Sequence, residues 1–253
     1  MLQQTQVARV QTRWNEWLQQ FPSVEALAAA EDADVLAAWQ GMGYNRRALA
    51  LHRAAQMVVN AYDGVFPRDR AALLALPGVG PSTAAGILAF AYDEAGVYLE
   101  TNVRAVFIHE LFAAAEEPVA DKQLIPLVEA ACPPSGQDVR GWYYALLDYG
   151  AYLKKTVPNP TRRAKAYTRQ SRFEGSVRQK RAEVVRILLA ARESNLVLSS
   201  EQVTALLAQE ELANGRPEPD SHTALSLLEA LAREGFCVKT SCGWRIGSNA
   251  DIC

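Results

Sequence analysis

The sequence has few of the residues that build metal sites and disulfide frameworks. It contains 4 cysteines and 3 histidines among 253 residues. The cysteines form no C-x-x-C pair and have no histidine at ligand spacing: Cys132, Cys237, Cys242 and Cys253. Structural zinc sites and disulfide-rich folds need such pairs. The sequence therefore predicts free thiols and no bound metal.

Long uninterrupted apolar runs are also missing. No stretch approaches the roughly 18–20 apolar residues of a membrane helix, and the first residues lack the basic and apolar blocks of a secretion signal. With 49% hydrophobic and 21% charged residues, the composition excludes a disordered chain and fits one or two globular domains. We therefore expect a cytoplasmic protein that does not enter a membrane.

The net charge of −2 hides a segregation of charge along the chain. Residues 1–153 carry 10 basic and 17 acidic side chains, residues 154–192 carry 12 and 2, and residues 193–253 carry 4 and 9. A dense basic band in an otherwise acidic protein favours a nucleic acid partner, because neutralised phosphates release counterions. A solvated, self-repelling linker is the alternative interpretation.

Helical periodicity runs through nearly the whole chain. Apolar residues recur three and four positions apart, with short breaks at Gly, Pro, Ser or Asp. The predicted fold class is therefore mainly α. The predicted helices cover residues 6–20, 23–29, 32–40, 45–62, 68–75, 81–93, 101–115, 120–131, 137–153, 174–192, 199–212 and 220–234.

The helical pattern breaks at Pro158-Asn159-Pro160, inside the basic stretch. We therefore expect a helical body over 1–153, a basic linker over 154–173 and a small C-terminal domain over 174–253. In the last domain three helical segments precede two short strands that flank a turn at 241–243. This order predicts a winged-helix-like domain.

Two glycines separate consecutive helices in the string Leu76-Pro77-Gly78-Val79-Gly80-Pro81-Ser82-Thr83-Ala84. Gly78 and Gly80 permit backbone conformations and a close ligand approach that other residues prevent. The N–H groups and dipole of the following helix then face an anion such as a DNA phosphate. An ordinary glycine turn between core helices is the alternative, but the full string favours a helix-hairpin-helix.

Four strings of the sequence share their order and spacing with one known family. They are Met1-Leu2-Gln3-Gln4-Thr5-Gln6-Val7, Trp39-Gln40-Gly41-Met42-Gly43-Tyr44, the hairpin string, and Leu99-Glu100-Thr101-Asn102-Val103-Arg104. Over roughly residues 1–153 the chain resembles the helix-hairpin-helix, endonuclease III-like DNA glycosylases, and among them the MutY-type adenine DNA glycosylases. The resemblance implies a fold of two helical lobes, with 94–153 in the second lobe, and an enzyme that flips a damaged or mispaired nucleotide from double-stranded DNA.

The resemblance also assigns residues to a DNA surface. Gln3 and Gln4 match positions that fill the vacated base stack, and Tyr44 matches an aromatic residue inserted beside the opposite base. Without the resemblance, a pair of amides at a helix start and a half-buried core tyrosine are the simpler interpretations. The other expected DNA contacts from the strings are Gly78, Gly80, Ser82, Thr83 and Asn102.

Glu100 occupies the position of the family's catalytic aspartate. Glycosidic bond hydrolysis passes through an oxocarbenium-like state that a nearby carboxylate stabilises. A side chain one methylene longer keeps the charge but displaces it by about 1.5 Å, which costs up to about two orders of magnitude in rate in an unaltered pocket. A charge that merely favours a helix start is the alternative interpretation.

Ser82 stands where bifunctional members of the family carry a Schiff-base lysine. A serine there implies removal of the base without strand cleavage. Capping of the following helix is a further interpretation, and the two do not conflict.

The sequence departs from the family at both ends of the matched region. The glutamate that protonates the leaving base in the family would precede Met1, so either Met1 is an internal methionine of a longer gene, which we favour, or the protein has no general acid. After Ala151 the family's four-cysteine iron–sulfur loop is replaced by Tyr152-Leu153-Lys154-Lys155-Thr156. We therefore expect no cofactor, with phosphate contacts from Lys154, Lys155, Arg162 and Arg163 instead.

The predicted function is monofunctional base-excision repair in the bacterial nucleoid, by a monomer that removes adenine opposite 8-oxoguanine or guanine. A catalytically impaired protein that binds lesions is one alternative, and a winged-helix transcription regulator is another. The regulator is disfavoured because the expected recognition helix, 220–234, carries Glu229 and Glu234. The basic residues instead lie on the first helix of that domain: Arg178, Lys180, Arg181 and Arg186.

Overall fold

A computed structural model describes residues 1–2, 5, 7–169 and 172–247. These residues form twelve α-helices, a 3-10 helix (Pro160–Arg163) and a two-stranded sheet. The elements are α1 (Val7–Gln20), α2 (Val24–Ala28), α3 (Asp32–Ala38), α4 (Arg46–Ala61), α5 (Arg70–Ala75), α6 (Pro81–Tyr92), α7 (Thr101–Leu111), α8 (Asp121–Ala131), α9 (Val139–Thr156), α10 (Val177–Glu193), α11 (Ser200–Ala213), α12 (Ser221–Arg233), β1 (Cys237–Thr240) and β2 (Gly243–Ile246). The predicted mainly α fold class is confirmed. None of the described helices is long and apolar enough to cross a membrane.

Several helices begin at a side chain that accepts a hydrogen bond from the first helical turn. Ser23 caps α2, Asp69 caps α5 and Asp220 caps α12. Ser199 caps α11, and the side chain of Gln202 accepts in return from the Ser199 N–H. Each such cap stabilises a helix by about 1 kcal/mol. Because the caps are local, the Ser and Asp signals predict these helix starts to within one or two residues.

The chain divides into two compact units, and unit 1 combines Met1–Val65 with Ser171–Cys253. Helices α1–α4 and α10–α12 contribute to one hydrophobic core. Within it, Trp17 and Trp39 pack edge to face with ring centroids 5.4 Å apart. Phe236, which follows α12, is buried in the same core.

This division differs from the predicted one, which assigns 174–253 to a separate domain. The physical reason is that α10 covers the core begun by the N-terminal helices. Its buried face includes Leu188, and near its end Arg192 forms ion pairs with Asp34 at 2.7 Å and Glu31 at 2.5 Å. The C-terminal helices therefore complete a core that the first 65 residues do not close alone.

The C-terminal elements of unit 1 have the predicted order of three helices and a hairpin. Strands β1 and β2 are antiparallel, with Cys237 opposite Ile246 and Thr240 opposite Gly243. Leu198, just before α11, exchanges two backbone hydrogen bonds with Trp244, of 3.1 and 2.7 Å. The winged-helix-like designation of this region stays a prediction.

Unit 2 comprises Phe66–Gln170. Helices α7 and α9 form its centre, and the core includes Val103, Ile108 and the fully buried Tyr143. The two helices approach closely at Gly150, where an added Cβ would lie 2.3 Å from the carbonyl oxygen of Asn102. A glycine is therefore required at this crossing.

Part of the predicted basic linker, 154–173, is regular structure within unit 2. Lys154 and Lys155 lie in the last turn of α9. The 3-10 helix that follows buries Pro160 and Thr161, and Val119 is hydrogen-bonded at 2.8 Å to the backbone of both Arg163 and Lys165. Small and apolar residues between the basic side chains pack inward. A prediction from charge density alone does not take them into account and therefore gives a linker.

Substitution of Gly150 by Ala should destabilise the protein by about 1–3 kcal/mol, because the new methyl group overlaps the α7 backbone. Urea denaturation would measure the loss. Gly96→Ala is the matched control, since a Cβ at Gly96 meets nothing within 4 Å. Equal stability of Gly150→Ala and wild type would contradict the close crossing of α7 and α9.

Candidate functional site

The hairpin string in unit 2 forms two helices joined by a tight turn. Helix α5 ends at Ala75, and Gly78 then adopts a left-handed φ of 77°. The Val79 N–H donates to the Leu76 carbonyl over 3.1 Å. Leu76 is buried, whereas Gly78 and Gly80 are exposed. The turn is therefore anchored by its leucine and presents its glycine backbone outward.

The first turn of α6 presents backbone N–H groups at the positive end of the helix dipole. Gly80 is the N-cap residue and brings no capping side chain, and a Cβ there would meet nothing within 4 Å. The Ala84 N–H donates a backbone hydrogen bond to the Gly80 carbonyl over 2.9 Å. Ser82 is exposed inside the helix, so the capping interpretation of Ser82 is wrong. Such a helix start suits an anion.

Glu100 is the N-cap residue of α7. Its Oε1 accepts hydrogen bonds from the backbone N–H groups of Asn102 and Val103, the second at 3.0 Å. Glu100 therefore stabilises the start of α7, which is the role that the sequence offered as an alternative to catalysis. The two bonds also hold one carboxylate oxygen in a single position, as a group that stabilises developing positive charge requires.

A buried tyrosine fixes the chain immediately before Glu100. The Tyr143 hydroxyl accepts from the Tyr98 N–H at 2.8 Å and donates to the Gly96 carbonyl. Burial raises the pKa of Tyr143 far above its ordinary value, so this hydroxyl keeps its proton. The Tyr98 ring lies against Gly86 of α6, where an added Cβ would be 2.9 Å from Cε2. The segment 96–98 therefore connects the hairpin helix to Glu100.

Arg104 and Asp121 join α7 to the start of α8. Arg104 Nε and Nη2 donate to the two carboxylate oxygens of Asp121, both at 2.8 Å. This hydrogen bonding raises the pKa of Arg104, to which the charge of Glu100 also contributes, and lowers the pKa of Asp121. A fixed positive charge therefore lies within electrostatic range of Glu100.

In unit 1, Tyr44 ends a loop with a constrained backbone. Gly41 and Gly43 have φ values of 81° and 69°, and Tyr44 itself has φ of 50°, which is uncommon for an aromatic residue. Its side chain is 39% exposed. A strained backbone that holds a large ring at the surface is a frequent feature of functional sites.

Arg47 holds this loop in place. Its guanidinium donates to the carbonyl oxygens of Met1, Met42 and Gly43 over 3.0, 3.3 and 3.1 Å. The same group lies over the rings of Trp39 and Tyr44, at 5.3 and 5.6 Å from their centroids. Planar donors in several directions suit Arg and not Lys for this position.

The remaining predicted site residues are distributed over both units. Gln3 and Gln4 lie outside the described residues. The Asn102 side chain has a buried Oδ1 with no hydrogen-bond partner in the described structure. Thr83 is half-buried in the first turn of α6. Arg163 donates to the carbonyls of Phe112, Ala113 and Ala115 after α7, which occupies it within the protein and differs from the expected phosphate contact.

Lys154 is half-buried, whereas Lys155 and Arg162 are exposed.

Within the described part of the chain, no group of three or more His, Cys, Asp and Glu side chains is arranged to hold a metal ion.

Comparisons with known proteins identify a family for the N-terminal half of the chain. The family model of the HhH-GPD superfamily base excision DNA repair proteins matches residues 1–126. The matched region contains the hairpin, Glu100 and the Tyr44 loop. Residues 1–126 belong to the HhH-GPD superfamily. The predicted resemblance to helix-hairpin-helix glycosylases is thereby confirmed.

Relatives within the superfamily include adenine DNA glycosylases. The protein of Mycolicibacterium smegmatis is 43% identical over 134 residues, which cover 53% of this chain and 45% of that protein. The mouse protein is 30% identical over 213 residues, which cover 79% of this chain and 40% of that protein. The chain thus spans less than half of the length of these curated relatives. A solved thermostable thymine-DNA glycosylase matches with a TM-score of 0.50 and 25% identity, over 59% of this chain and 69% of that one.

Sequence reasoning missed the residues that position the site. Tyr143 stands in the run Trp142-Tyr143-Tyr144, and nothing local distinguishes the tyrosine that reaches segment 96–98. Arg47 is half-buried and bound to the Tyr44 loop, whereas its neighbour Arg46 is exposed. Tyr143 binds a segment 45 positions away, and Arg47 combines local partners with the Met1 carbonyl 46 positions away, so the three-dimensional structure is needed to identify these roles.

Replacement of Asp121 by Asn should lower stability by about 0.5–1 kcal/mol at pH 7, as is typical of a partly exposed ion pair. Because the folded pKa of Asp121 is lowered, the pair stabilises the protein above the ordinary carboxyl pKa of about 3.9. The difference between wild type and Asp121→Asn should vanish as the pH falls through the lowered folded value. Urea denaturation at pH 7 and pH 2 tests this; an equal difference at both would contradict the pairing.

Proposed function

We propose that this protein is a monofunctional DNA glycosylase of base-excision repair. The observation that carries the proposal lies within unit 2, where the segment 96–98 connects α6, whose N-cap Gly80 has no capping side chain, to the fixed carboxylate of Glu100. One part suits a DNA phosphate, and the other suits the sugar cation formed when a base leaves.

In the proposed reaction the bond between C1′ of the deoxyribose and the base nitrogen breaks, and the base takes the electron pair. Glu100 stabilises the resulting oxocarbenium-like sugar. Water then adds to C1′ as hydroxide, and its proton balances the charge of the departed base. The cap bonds to the helix N–H groups fix the position of the carboxylate.

Ser82 supports base removal without strand cleavage, because a serine at this position offers no amine for a Schiff base. The substrate we propose is adenine opposite 8-oxoguanine or guanine. The 43% identity over 134 residues to an adenine DNA glycosylase supports this choice.

Contacts to double-stranded DNA are proposed for both units. In unit 2 they involve the hairpin at Gly78, Gly80 and Ser82, with Lys155 and Arg162 as exposed cations for phosphates. In unit 1 the exposed ring of Tyr44 is the residue that inserts beside the opposite base. We propose that the protein acts as a monomer in the bacterial nucleoid.

A second candidate function is lesion binding without base release. The double cap bond of Glu100 favours it, since a carboxylate engaged by α7 serves a structural role even without catalysis. A winged-helix regulator receives less support, because α12 itself carries Glu229, and Glu234 just after it is engaged by Arg46 and Arg181.

Glu100→Gln distinguishes catalysis from binding. The variant keeps a hydrogen-bond acceptor but removes the charge, so base release should fall at least about a hundredfold, while affinity for the mispair should change little. Single-turnover base release is measured on duplexes with adenine opposite 8-oxoguanine, adenine opposite guanine, and thymine or uracil opposite guanine. Glu129→Gln, an exposed change of equal charge on α8, is the control.

Two results would decide against the glycosylase proposal. Base release by Glu100→Gln at the wild-type rate would remove Glu100 from the reaction. Tight mispair binding by the wild type without release from any duplex would favour the lesion-binding function.

We also propose that the protein works without the iron–sulfur cluster of its family. The described cysteines do not fit one: Cys132 lies in unit 2, while Cys237 and Cys242 lie in unit 1. Burial also raises the pKa of the Cys237 thiol to about 12, so it stays protonated and is a poor ligand. In the segment after α9, hydrogen bonds of Arg163 to carbonyls after α7 supply the anchoring.

Protein purified from iron-supplemented cells should therefore contain iron and acid-labile sulfide only at background level, while it binds mispaired duplexes normally. Metal analysis by mass spectrometry makes the measurement, with an iron–sulfur glycosylase prepared in parallel as positive control. A stoichiometric iron content would contradict the proposal.

A further inference from the structure

The first turn of α10 lies against the loop that carries Tyr44. Ser176 caps α10 by accepting from the Gln179 N–H over 3.3 Å, which sets Arg178 in the first helical turn. Arg178 Nη1 donates to the Tyr44 hydroxyl over 3.2 Å. Both residues belong to unit 1, although they are 134 positions apart in the chain.

A second contact fixes the same two elements. Glu234 Oε2 accepts from Arg46 Nε at 2.8 Å, at the start of α4, and from Arg181 Nη2 at 2.5 Å, on α10. Burial acts to raise the pKa of Glu234, but the hydrogen bonds from the two arginines outweigh it and lower the pKa. Glu234 is therefore charged at neutral pH and holds α10 beside the Tyr44 loop.

The resulting surface has an excess of positive charge around an aromatic ring. Two guanidinium groups share the single carboxylate of Glu234, and the Arg46 side chain is 74% exposed. The Tyr44 ring has Arg47 over it at 5.6 Å and Arg178 at its hydroxyl. Aromatic rings among arginines are the arrangement by which proteins stack on bases and attract phosphates.

An exposed tyrosine ring on a loop ordinarily samples several rotamers, and insertion into a base stack would cost that freedom. Arg47 restrains the Tyr44 ring through its face and Arg178 restrains it through its hydroxyl. A ring that is already restrained from two sides loses less conformational entropy when it inserts. The same contacts between ring and DNA therefore give a higher affinity.

We propose that the first turn of α10 forms part of the DNA-binding surface, with Arg178 as the residue that positions Tyr44. The role in DNA binding rests on the proposed function. Arg178 lies outside the residues matched by the family model, so this part of the surface is supplied by the C-terminal elements of the chain. Those elements thereby contribute to lesion recognition without inserting a recognition helix.

A double-mutant cycle tests whether Arg178 acts through Tyr44. Arg178→Ala and Tyr44→Phe each remove one side of the hydrogen bond, and each should weaken binding to the mispaired duplex about 3- to 10-fold. The double variant should bind no more weakly than the weaker single variant. Fluorescence anisotropy measures the affinities. An additive loss, or no loss in Arg178→Ala, would overturn the positioning role.

Arg186→Ala is the matched control. It removes the same charge from the same helix about 12 Å further along the axis, where Arg186 pairs with Glu183 and Glu210. Its affinity should equal that of wild type. The salt dependence gives a further readout, because a positioning residue leaves the slope of log affinity against log salt unchanged. A slope reduced by about one in Arg178→Ala would indicate a direct phosphate contact and overturn the positioning role.

Fluorine NMR of protein labelled with 3-fluorotyrosine separates this inference from the proposed function, because it needs no DNA. The Tyr44 signal is assigned by its loss in Tyr44→Phe; it should shift in Arg178→Ala and not in Arg186→Ala. An unshifted signal overturns the inference even if the wild type releases bases. If the signal shifts in Arg178→Ala but the wild-type protein does not prefer mispaired DNA, the contact between Arg178 and Tyr44 is supported and the proposed function is rejected.

Discussion

The N–H groups at a helix start need hydrogen-bond acceptors, and two helices of unit 2 differ in whether a capping side chain supplies one. At α7 the protein supplies the acceptor itself, because Glu100 takes two of these hydrogen bonds. At α6 the cap residue is Gly80, which has no side chain to offer. The first helix start is therefore closed by a carboxylate and the second is suited to an anion from outside. The candidate chemistry of unit 2 depends on this difference.

The position of Glu100 in turn depends on interior packing. Tyr143 reaches the segment before Glu100 from α9, and α9 can lie that close to α7 only because Gly150 has no side chain. The charge of Glu100, which the sequence shows directly, is thus only one part of the site. A buried hydroxyl and a missing methyl group determine where that charge is held.

Local signals predicted most of the fold, and long-range contacts account for what they missed. The starts of α2, α5, α11 and α12 follow from capping side chains next to them in sequence. The segment 154–165 was expected to be a linker because charge is visible in a sequence, whereas the pairing of Val119 with this segment is not. For the candidate site, the strings identified the hairpin, Glu100 and Tyr44, but not Tyr143 or Arg178, whose partners are 45 and 134 positions away.

Unit 1 is assembled from the first 65 residues and from residues beyond 170, with unit 2 inserted between them. During synthesis the ribosome therefore releases α1–α4 long before α10 exists to cover their apolar faces. Unit 2 is continuous and can fold as soon as it emerges, whereas unit 1 must close a loop of more than 100 residues. Chain connectivity thus delays the closure of unit 1, and the apolar faces of α1–α4 that pack on α10 stay uncovered until translation reaches that helix.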